Sequence, residues 1–248
     1  MSGSFVIATW NVLHRVHAVN WEEPAIAAHP DEDVRIAAIS ERIARLAPPP
    51  AVFCLQEVSG DQLAALRRTQ SGTILATKYP RVPRYRRRAD VPPIASDPAE
   101  YLVTIVGGHA NAKLARATAF PTDPGKGFQI VELAELAVVN THVSYGGHHA
   151  AQCRQLVSEL GSRRGTVVIV GDFNADRAAC SAQLSGFSAG VPIESGLATR
   201  PRATPNGRSE SIDHVFVRAG SILDMTVASG NGLSDHNPVI ARIELRVG

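Results

Sequence analysis

Apolar runs of strand length recur along the chain, and several follow one another without a helix between them. Residues 5–9 and 51–55 are continuous apolar or β-branched runs, which are typical of buried strands. This succession of strands favours mixed sheets. Further strands are predicted at residues 73–76, 101–106, 112–119, 129–133, 136–140, 166–170, 211–217, 222–228 and 239–245.

Helical patterns are confined to a few segments between these strands. A helix is predicted over residues 31–46, because Asp31 can cap its first turn and three consecutive prolines at 48–50 end it. A short helix is predicted at 61–67, and a longer one places Cys153 on its inner face. The combination of helices and mixed sheets predicts an α/β protein.

Two stretches are predicted to lack regular structure. Residues 79–100 contain five prolines and read as an irregular loop. Structureless loops of ~20 residues are uncommon inside compact domains, and those that occur are more often functional or mobile. Residues 121–127 combine proline, aspartate and glycine, which predicts a connection between two strands.

Length and composition limit the class of protein. A chain of 248 residues with 44% hydrophobic content can bury a substantial core, so we expect one domain over residues 1–248. No run approaches the ~20 apolar residues of a membrane span, and the first strand begins too early for a signal peptide. We therefore expect a cytoplasmic protein with no membrane partner and no obligate protein partner. A net charge of +2 is too small to indicate a long nucleic-acid footprint.

Residues with chemical potential stand mostly where the predicted strands end. Each strand end offers an acid, an amide or an imidazole, which is the composition of a site that binds a hard divalent cation and hydrolyses a phosphate ester. The six clusters are Trp10-Asn11, Gln56-Glu57, Thr141-His142, Gly171-Asp172-Phe173-Asn174, Ile212-Asp213-His214 and Ser234-Asp235-His236-Asn237-Pro238.

The ordered set of clusters resembles the endonuclease/exonuclease/phosphatase superfamily, from about residue 5 to residue 245. The resemblance implies a deoxyribonuclease I-like, four-layer sandwich of two mixed β-sheets flanked by helices, with the cleft at one end. Segments 10–13, 20–22 and 56–58 are most similar to the deadenylase and nocturnin branch.

Glu57 and Asp235 are the two carboxylates expected on the metal, with Asn11 as a neutral oxygen ligand or an orienting amide. Oxygen ligands without sulfur favour Mg²⁺, with Mn²⁺ as a substitute, over zinc.

The matching family motifs imply the catalytic residues. Asp172 orients and deprotonates the attacking water, and Asn174 hydrogen-bonds the phosphate or that water. His142 and His236 bracket the scissile phosphate, where an imidazolium supplies both charge and a proton. Asp213 is the expected partner that fixes the tautomer of His236.

Two basic features are expected to bind substrate. Arg86, Arg87 and Arg88 belong to a group of five arginines within the predicted loop, and arginine is well suited to bidentate phosphate contact. The alternative is an ordinary solvated face. Lys126 lies between two glycines without P-loop spacing and is predicted as a point charge at the cleft rim.

The remaining cysteines and histidines are interpreted as packed or surface residues. Three cysteines without CxxC spacing predict neither a disulfide framework nor a zinc site. The residues in this class are Cys54, Cys153, Cys180, His14, His17, His29, His109, His148, His149 and His214.

The leading functional hypothesis is a Mg²⁺-dependent phosphoesterase that uses direct water attack on a nucleotide or nucleic-acid substrate. A phosphomonoesterase acting on a small metabolite is the alternative, favoured by the weak net charge and the 5% aromatic content. A catalytically inactive binding module would lack metal ligands, yet every expected position is filled. A lipid hydrolase would need secretion and an apolar docking surface, which the sequence does not indicate.

Overall fold

Strands form most of the regular structure in the computed structural model, which describes residues 3–46, 51–86, 96–108, 111–134, 136–161, 163–192, 196–201 and 208–245. The strands are β1 (Ser4–Asn11), β2 (Ala51–Ser59), β3 (Thr73–Lys78), β4 (Glu100–Val106), β5 (Lys113–Phe120), β6 (Asp123–Leu133), β7 (Leu136–His142), β8 (Thr166–Asp172), β9 (Ser188–Ala189), β10 (Asp213–Arg218), β11 (Gly220–Val227) and β12 (Val239–Leu245).

Helices connect the strands and begin at recognisable caps. Asp31 Oδ1 accepts the backbone N–H groups of Asp33 and Val34, as expected for the predicted cap. Ser59 and Gln62 form a capping box at the start of the next long helix. The helices are α1 (Arg15–Asn20), α2 (Pro24–Ala28), α3 (Glu32–Leu46), α4 (Gly60–Thr69), α5 (His149–Leu160) and α6 (Arg177–Ser181), with a 3₁₀ turn at Gly146–His148.

The strands form two mixed sheets, as predicted. One sheet has the order β11-β12-β1-β2-β4-β3, and the other has the order β5-β6-β7-β8-β10-β9. The central pair of each sheet is parallel, β1 with β2 and β7 with β8. Because parallel strands end at the same edge of a sheet, each central pair brings two strand ends side by side.

Three apolar layers hold the sheets and helices together. Ile7 and Val168 belong to the layer between the two sheets. Ile39 of α3 packs on the outer face of the first sheet, and Leu156 of α5 packs on the outer face of the second. The resulting order is helix, sheet, sheet, helix, which confirms the predicted four-layer fold. The cysteines are buried free thiols within these layers.

A polar contact inside the layer between the sheets fixes the end of β2. Gln56 Nε2 donates to Asn140 Oδ1 at 2.8 Å and to Thr9 Oγ1 at 3.0 Å. The pairing of β2 with β4 then shifts register between Leu55 and Val58, and Glu57 adopts a φ of 55°. A bulge of this kind redirects a side chain. The Gln56 side chain therefore lies in the layer between the sheets, while the Glu57 side chain lies in the cleft.

The structure differs from the sequence expectations in a few places. The predicted connection at 121–127 is only a two-residue turn at 121–122, since β6 begins at Asp123 and places Lys126 on a strand. Helices α1, α2 and α6 were not predicted because each has only five or six residues, too few to show periodicity.

The predicted loop is irregular at residues 79–86 and 96–99. Residues 87–95 lie outside the described part of the chain. None of the helices in the described part combines the length and apolar composition needed to span a lipid bilayer.

We predict that Gly171→Ala disrupts the pairing of β7 with β8. Gly171 has a φ of 149°, and an added Cβ would lie 1.9 Å from the carbonyl oxygen of Thr141. The strain should lower the free energy of unfolding by at least about 2 kcal/mol in denaturant titrations. Gly147→Ala is the matched control, because nothing lies within 4 Å of its added Cβ. Equal stability of the two variants would contradict this account of the strand pair.

Candidate active site

The two parallel strand pairs end at one shared cleft. Asn11 and Gln56 are paired at the end of the first pair, and His142 and Asp172 at the end of the second. Asn11 Nδ2 donates to Asp172 Oδ2 at 3.1 Å, so the carboxyl ends of the parallel strands of the two sheets meet there. Asp213, the first residue of β10, is paired directly with Asp172.

Asp172 is surrounded by donors from several elements. Its Oδ2 lies 3.2 Å from His142 Nε2 and 3.8 Å from His236 Nε2. Its Oδ1 accepts the backbone N–H of Asn174 at 2.9 Å. Burial by itself would raise the pKa of Asp172, but the positive charge of His142 and His236 holds the pKa well below its usual range. The carboxylate is therefore ionised.

Glu57 is the second buried carboxylate of the cleft. Its Oε2 accepts the backbone N–H of His14 at 3.3 Å, and its Oε1 lies 3.8 Å from Lys126 Nζ and 3.9 Å from His142 Nε2. Burial would raise the pKa of Glu57, but His17, Lys126 and His142 lower it well below its usual range. Glu57 is thus an ionised oxygen donor facing several positive groups.

His236 and Asp213 form a buried pair, and the role of Asp213 in fixing the tautomer of His236 stays a prediction. His236 Nδ1 lies 2.9 Å from Asp213 Oδ2. Burial would lower the pKa of His236, but Asp213, Asp235 and Asp172 raise it to about 10. The imidazole is therefore protonated at neutral pH, with Nε2–H directed toward the cleft carboxylates. Burial raises the pKa of Asp213 despite the opposing charge of His236.

Lys126 lies inside the cleft and not at its rim, where it was predicted. Its side chain is 14% exposed, and its Nζ contacts both ring nitrogens of His142, with Nδ1 at 3.1 Å. Asn174 adopts a φ of 51° and donates from Nδ2 to the Val143 carbonyl at 2.9 Å. The same Nδ2 is 3.4 Å from His142 Nε2, so an amide, an ammonium and an imidazole converge.

Asp235 is held by an arginine that the sequence analysis missed. Arg200 Nε and Nη2 lie 2.9 and 2.8 Å from Asp235 Oδ2, and Nη2 lies 3.3 Å from Glu23 Oε1. Burial would lower the pKa of Arg200, but Asp235 and Glu23 raise it. Arg200 belongs to no recognisable motif and follows no apolar strand, so only the folded chain shows its partner.

A second missed pair lies behind Glu57. His17 Nε2 is 2.9 Å from Glu100 Oε2, and Glu100 is 1% exposed. Burial would lower the pKa of His17, but the charges of Glu57 and Glu100 raise it overall. His17 was interpreted as a packed or surface residue, yet its charge acts on the cleft. His214 is a packed residue, since it is 5% exposed and its Nε2 contacts the Ala175 carbonyl at 2.9 Å, and this burial lowers its pKa to about 4.

Two described arginines of the predicted substrate loop, Arg81 and Arg86, make side-chain contacts. Arg81 Nη1 lies 2.8 Å from Asp123 Oδ1. The guanidinium carbon of Arg86 lies 4.3 Å from the ring centroid of Trp21. Arg87 and Arg88 lie outside the described residues.

The cleft contains the kind of donor atoms that a hard divalent cation prefers. Glu57, Asp172 and the amide oxygen of Asn11 supply oxygen atoms, and the Asn11 oxygen keeps a lone pair after accepting Leu13 N–H at 3.0 Å. Among the described residues, ligand atoms of Asp172, Asp213 and His236 also lie within 4.8 Å of one another. The hydrogen bond between Asp213 and His236 engages two of those residues, which favours proton chemistry there over metal binding.

Two mixed sheets that carry acids, imidazoles and amides at one end are typical of a class of phosphate-ester hydrolases. The chain belongs to the Endonuclease/Exonuclease/phosphatase family, whose sequence pattern matches residues 8–236. Members of this family hydrolyse phosphate esters. The resemblance to this superfamily is thereby confirmed, while the deadenylase and nocturnin branch stays a prediction.

The match to an individual relative covers a smaller part of the chain than the match to the family pattern. A UPF0294 protein of Vibrio cholerae is 34% identical over 127 residues, which is 48% of this chain and 43% of that protein. The chain thus spans less than half the length of this curated relative.

Solved structures share the fold at low sequence identity. D. rerio TDP2 complexed with single strand DNA product is 14% identical with a TM-score of 0.69, covering 97% of this chain and 99% of that one. A Bacteroides thetaiotaomicron family protein is 15% identical with a TM-score of 0.68, covering 100% and 97%.

We predict that Asp213 and His236 act as one unit. Asp213→Asn and His236→Ala should each lower kcat/KM on a chromogenic phosphodiester by about 10²-fold, because either change removes the oriented imidazolium. The double variant should lose little more than His236→Ala alone. Asp224→Asn, which alters an exposed ion pair with Arg242, is the matched control and should keep full activity. Losses that multiply in the double variant would show that the two residues act separately.

Proposed function

We propose that this protein is a magnesium-dependent phosphoesterase that hydrolyses a nucleotide or nucleic-acid substrate by direct water attack. One observation carries the proposal: the ionised carboxylate of Asp172 lies 3.2 Å from one imidazole and 3.8 Å from another, and it accepts the Asn11 Nδ2 amide at 3.1 Å. Water activation, phosphate binding and proton donation are thus available within one buried cleft.

Glu57 and Asn11 are proposed to hold the cation, with Mn²⁺ as a substitute for Mg²⁺. A divalent cation bound there would polarise a phosphate oxygen and offset the charge that develops on it. That Asp235 is a further ligand of the cation stays a prediction. One of its carboxylate oxygens, Oδ2, already accepts a hydrogen bond from Arg200 Nε.

Asp172 is proposed to orient the attacking water and to accept its proton. Because a carboxylate with a lowered pKa is a weak base, orientation contributes more here than proton affinity. His236, protonated at neutral pH, is proposed to donate toward the phosphate or the leaving group. His142, Lys126 and Asn174 supply donors for the remaining phosphate oxygens.

An exposed aromatic surface supports a nucleotide-like substrate. Trp21 is 58% exposed and is backed by the Arg86 guanidinium. Asn20 fixes this arrangement, because its side chain binds the Arg84 carbonyl at 3.0 Å and the Arg86 N–H at 2.9 Å. An indole held in this way offers a stacking face for a base. The shared fold with D. rerio TDP2, which is complexed with single strand DNA product, also supports this class.

A small-metabolite phosphomonoesterase is the second candidate. Lys126, His142 and His236 all lie near Glu57 or Asp172, and this cluster of nitrogen donors suits the compact charge of a terminal phosphate. A catalytically inactive module is disfavoured, because the acids, amides and imidazoles of the cleft converge in the described chain.

We predict that chelation with excess EDTA abolishes turnover of phosphodiester and phosphomonoester probes, and that Mg²⁺ or Mn²⁺ restores it. The reason is that the donors on the Glu57 side are hard oxygens. Full turnover in excess chelator would contradict the proposed dependence on a metal ion.

A matched pair of variants separates catalysis from folding in the same assay. Asp172→Asn should lower kcat by at least about 10²-fold with an unchanged thermal transition, because water activation is lost while the side-chain shape is kept. Asp224→Asn should leave both quantities unchanged, since Asp224 is exposed and paired only at the surface.

We predict that neutralising Arg86, Arg87 and Arg88 together raises KM for an oligonucleotide, weakens the salt dependence of KM and spares kcat. Contacts that are equal in the ground and transition states change KM alone. Arg67→Gln with Arg68→Gln, exposed near the end of α4, is the control for a loss of positive surface charge elsewhere. An unchanged KM and salt slope would shift the preference to a small phosphomonoester.

A further inference from the structure

Arg81 reaches from the first sheet to the second. It follows the end of β3 by three residues, and its Nη1 atom lies 2.8 Å from Asp123 Oδ1 on β6. Its backbone N–H donates to the Pro124 carbonyl at 3.4 Å. The side chain of Arg81 is nevertheless 47% exposed. The two contacts therefore hold a guanidinium in place while it still faces solvent.

The guanidinium lies directly over the backbone of Gly125. A Cβ atom added to Gly125 would lie 2.1 Å from Arg81 Nη2, 2.3 Å from Nε and 2.4 Å from Cζ. Because all three atoms belong to the guanidinium, a side chain at position 125 would displace that group. The Gly125 N–H donates to Asp123 Oδ1 at 3.1 Å, the oxygen that also contacts Arg81. The glycine thus provides the space that the guanidinium occupies.

Asp123 is itself held by neighbouring groups. Its Oδ2 accepts a hydrogen bond from Ser144 Oγ at 2.8 Å, and Gln152 Nε2 donates to the same Oγ at 2.8 Å. Burial would raise the pKa of Asp123, but the hydrogen bonds from Ser144 and Gly125 and the charge of Arg81 lower it overall. The carboxylate is therefore ionised and oriented, so it sets the position of the guanidinium.

The strands that hold Arg81 also carry groups of the cleft. Lys126 directly follows Gly125, and its Nζ contacts His142. Ser144 lies two residues beyond His142. Arg81 is thus beside the groups proposed to bind the scissile phosphate, and it is not one of them.

One edge of the Arg81 guanidinium is available to a ligand. The contact with Asp123 uses Nη1, and among the described residues none accepts a hydrogen bond from Nε or Nη2. A guanidinium edge with two N–H groups is well suited to bidentate binding of a phosphate. An ion pair at a solvent-exposed position contributes little to stability, which favours a binding role for this arrangement over a structural one.

We propose that Arg81 binds a second phosphate of the substrate, next to the scissile one, and thereby selects nucleotide chains with at least two phosphates over esters with one. The inference rests on the proposed phosphoesterase function and makes its substrate class narrower. Asp123 and Gly125 are positioning residues for this contact.

Three thymidine dinucleotides test the proposal on the whole chain in the presence of Mg²⁺. One has only the central phosphodiester, and the others carry an added phosphate at the 5′ or the 3′ end. Cleavage of the central linkage is followed by chromatography, which separates it from loss of a terminal phosphate. With the wild-type protein, one of the added phosphates should raise kcat/KM about 10-fold, the value of a charge-assisted hydrogen bond.

Variants of Arg81 and Gly125 should remove this advantage. Arg81→Gln should raise KM for the favoured dinucleotide about 10-fold with kcat unchanged, because the contact is equal in the ground and transition states. Gly125→Ala should do the same, since the added Cβ displaces the guanidinium. The double variant should lose no more than Arg81→Gln alone, because both changes remove one contact. Arg81→Lys keeps the charge without the planar fork and should retain part of the advantage.

Two matched substitutions serve as controls. Nothing lies within 4 Å of a Cβ added to Gly147, and Arg67 is exposed on α4, so Gly147→Ala and Arg67→Gln should keep the full advantage. Thermal unfolding shows whether each variant is folded. A Cβ at Gly125 would meet only the end of a flexible side chain, so Gly125→Ala should fold. If it does not, the result for Arg81→Gln decides.

The outcomes separate this inference from the function on which it rests. Equal kcat/KM for the three dinucleotides with the wild-type protein would overturn the role of Arg81 and leave phosphodiester hydrolysis intact. An advantage that survives in Arg81→Gln would have the same meaning. If the wild-type protein cleaves the central linkage of none of the three, the proposed nucleotide substrate and this inference are both overturned.

Discussion

The structure depends on the contact between the two sheets at Asp172. Asn11 reaches Asp172 from the first sheet, and His142 reaches it from the neighbouring strand of the second sheet. Both contacts require the two parallel strand pairs to end at the same level along the strand direction. The core contact between Gln56 and Asn140 supports this alignment, because it ties β2 to β7 shortly before their ends. The packing between the sheets therefore also determines the geometry of the site.

Charge balance is the second requirement of the cleft. Glu57 and Asp172 are almost fully buried, and an isolated buried carboxylate is strongly unfavourable. Their cost is offset by cationic groups that the fold places nearby, including Lys126 and the cleft imidazoles. The same contacts that make burial tolerable keep both carboxylates ionised, which is the state that water orientation and cation binding require. Removing one partner would thus change several groups at once.

The two sides of the cleft differ in the way they compensate negative charge. On the Glu57 side, Lys126 Nζ and His142 Nε2 remain 3.8 and 3.9 Å from the carboxylate oxygen. On the Asp235 side a guanidinium is in direct contact with the carboxylate. The carboxylate of Asp235 is therefore compensated by direct contact, and that of Glu57 by groups at a greater distance.

The sequence by itself determined the fold class, the family and the identity of most cleft residues, because strand-length apolar runs and the polar groups at their ends are local features of the chain. Three results came only from tertiary structure. Arg200 and His17 carry no local signal, since their partners Asp235 and Glu100 are distant in sequence. Lys126 was misplaced because pairing with β5 extends β6 through a glycine-rich segment that reads as a turn. The contacts of Arg200 and His17 join segments far apart in the chain, and the position of Lys126 follows from strand pairing, so only the packed structure decides them.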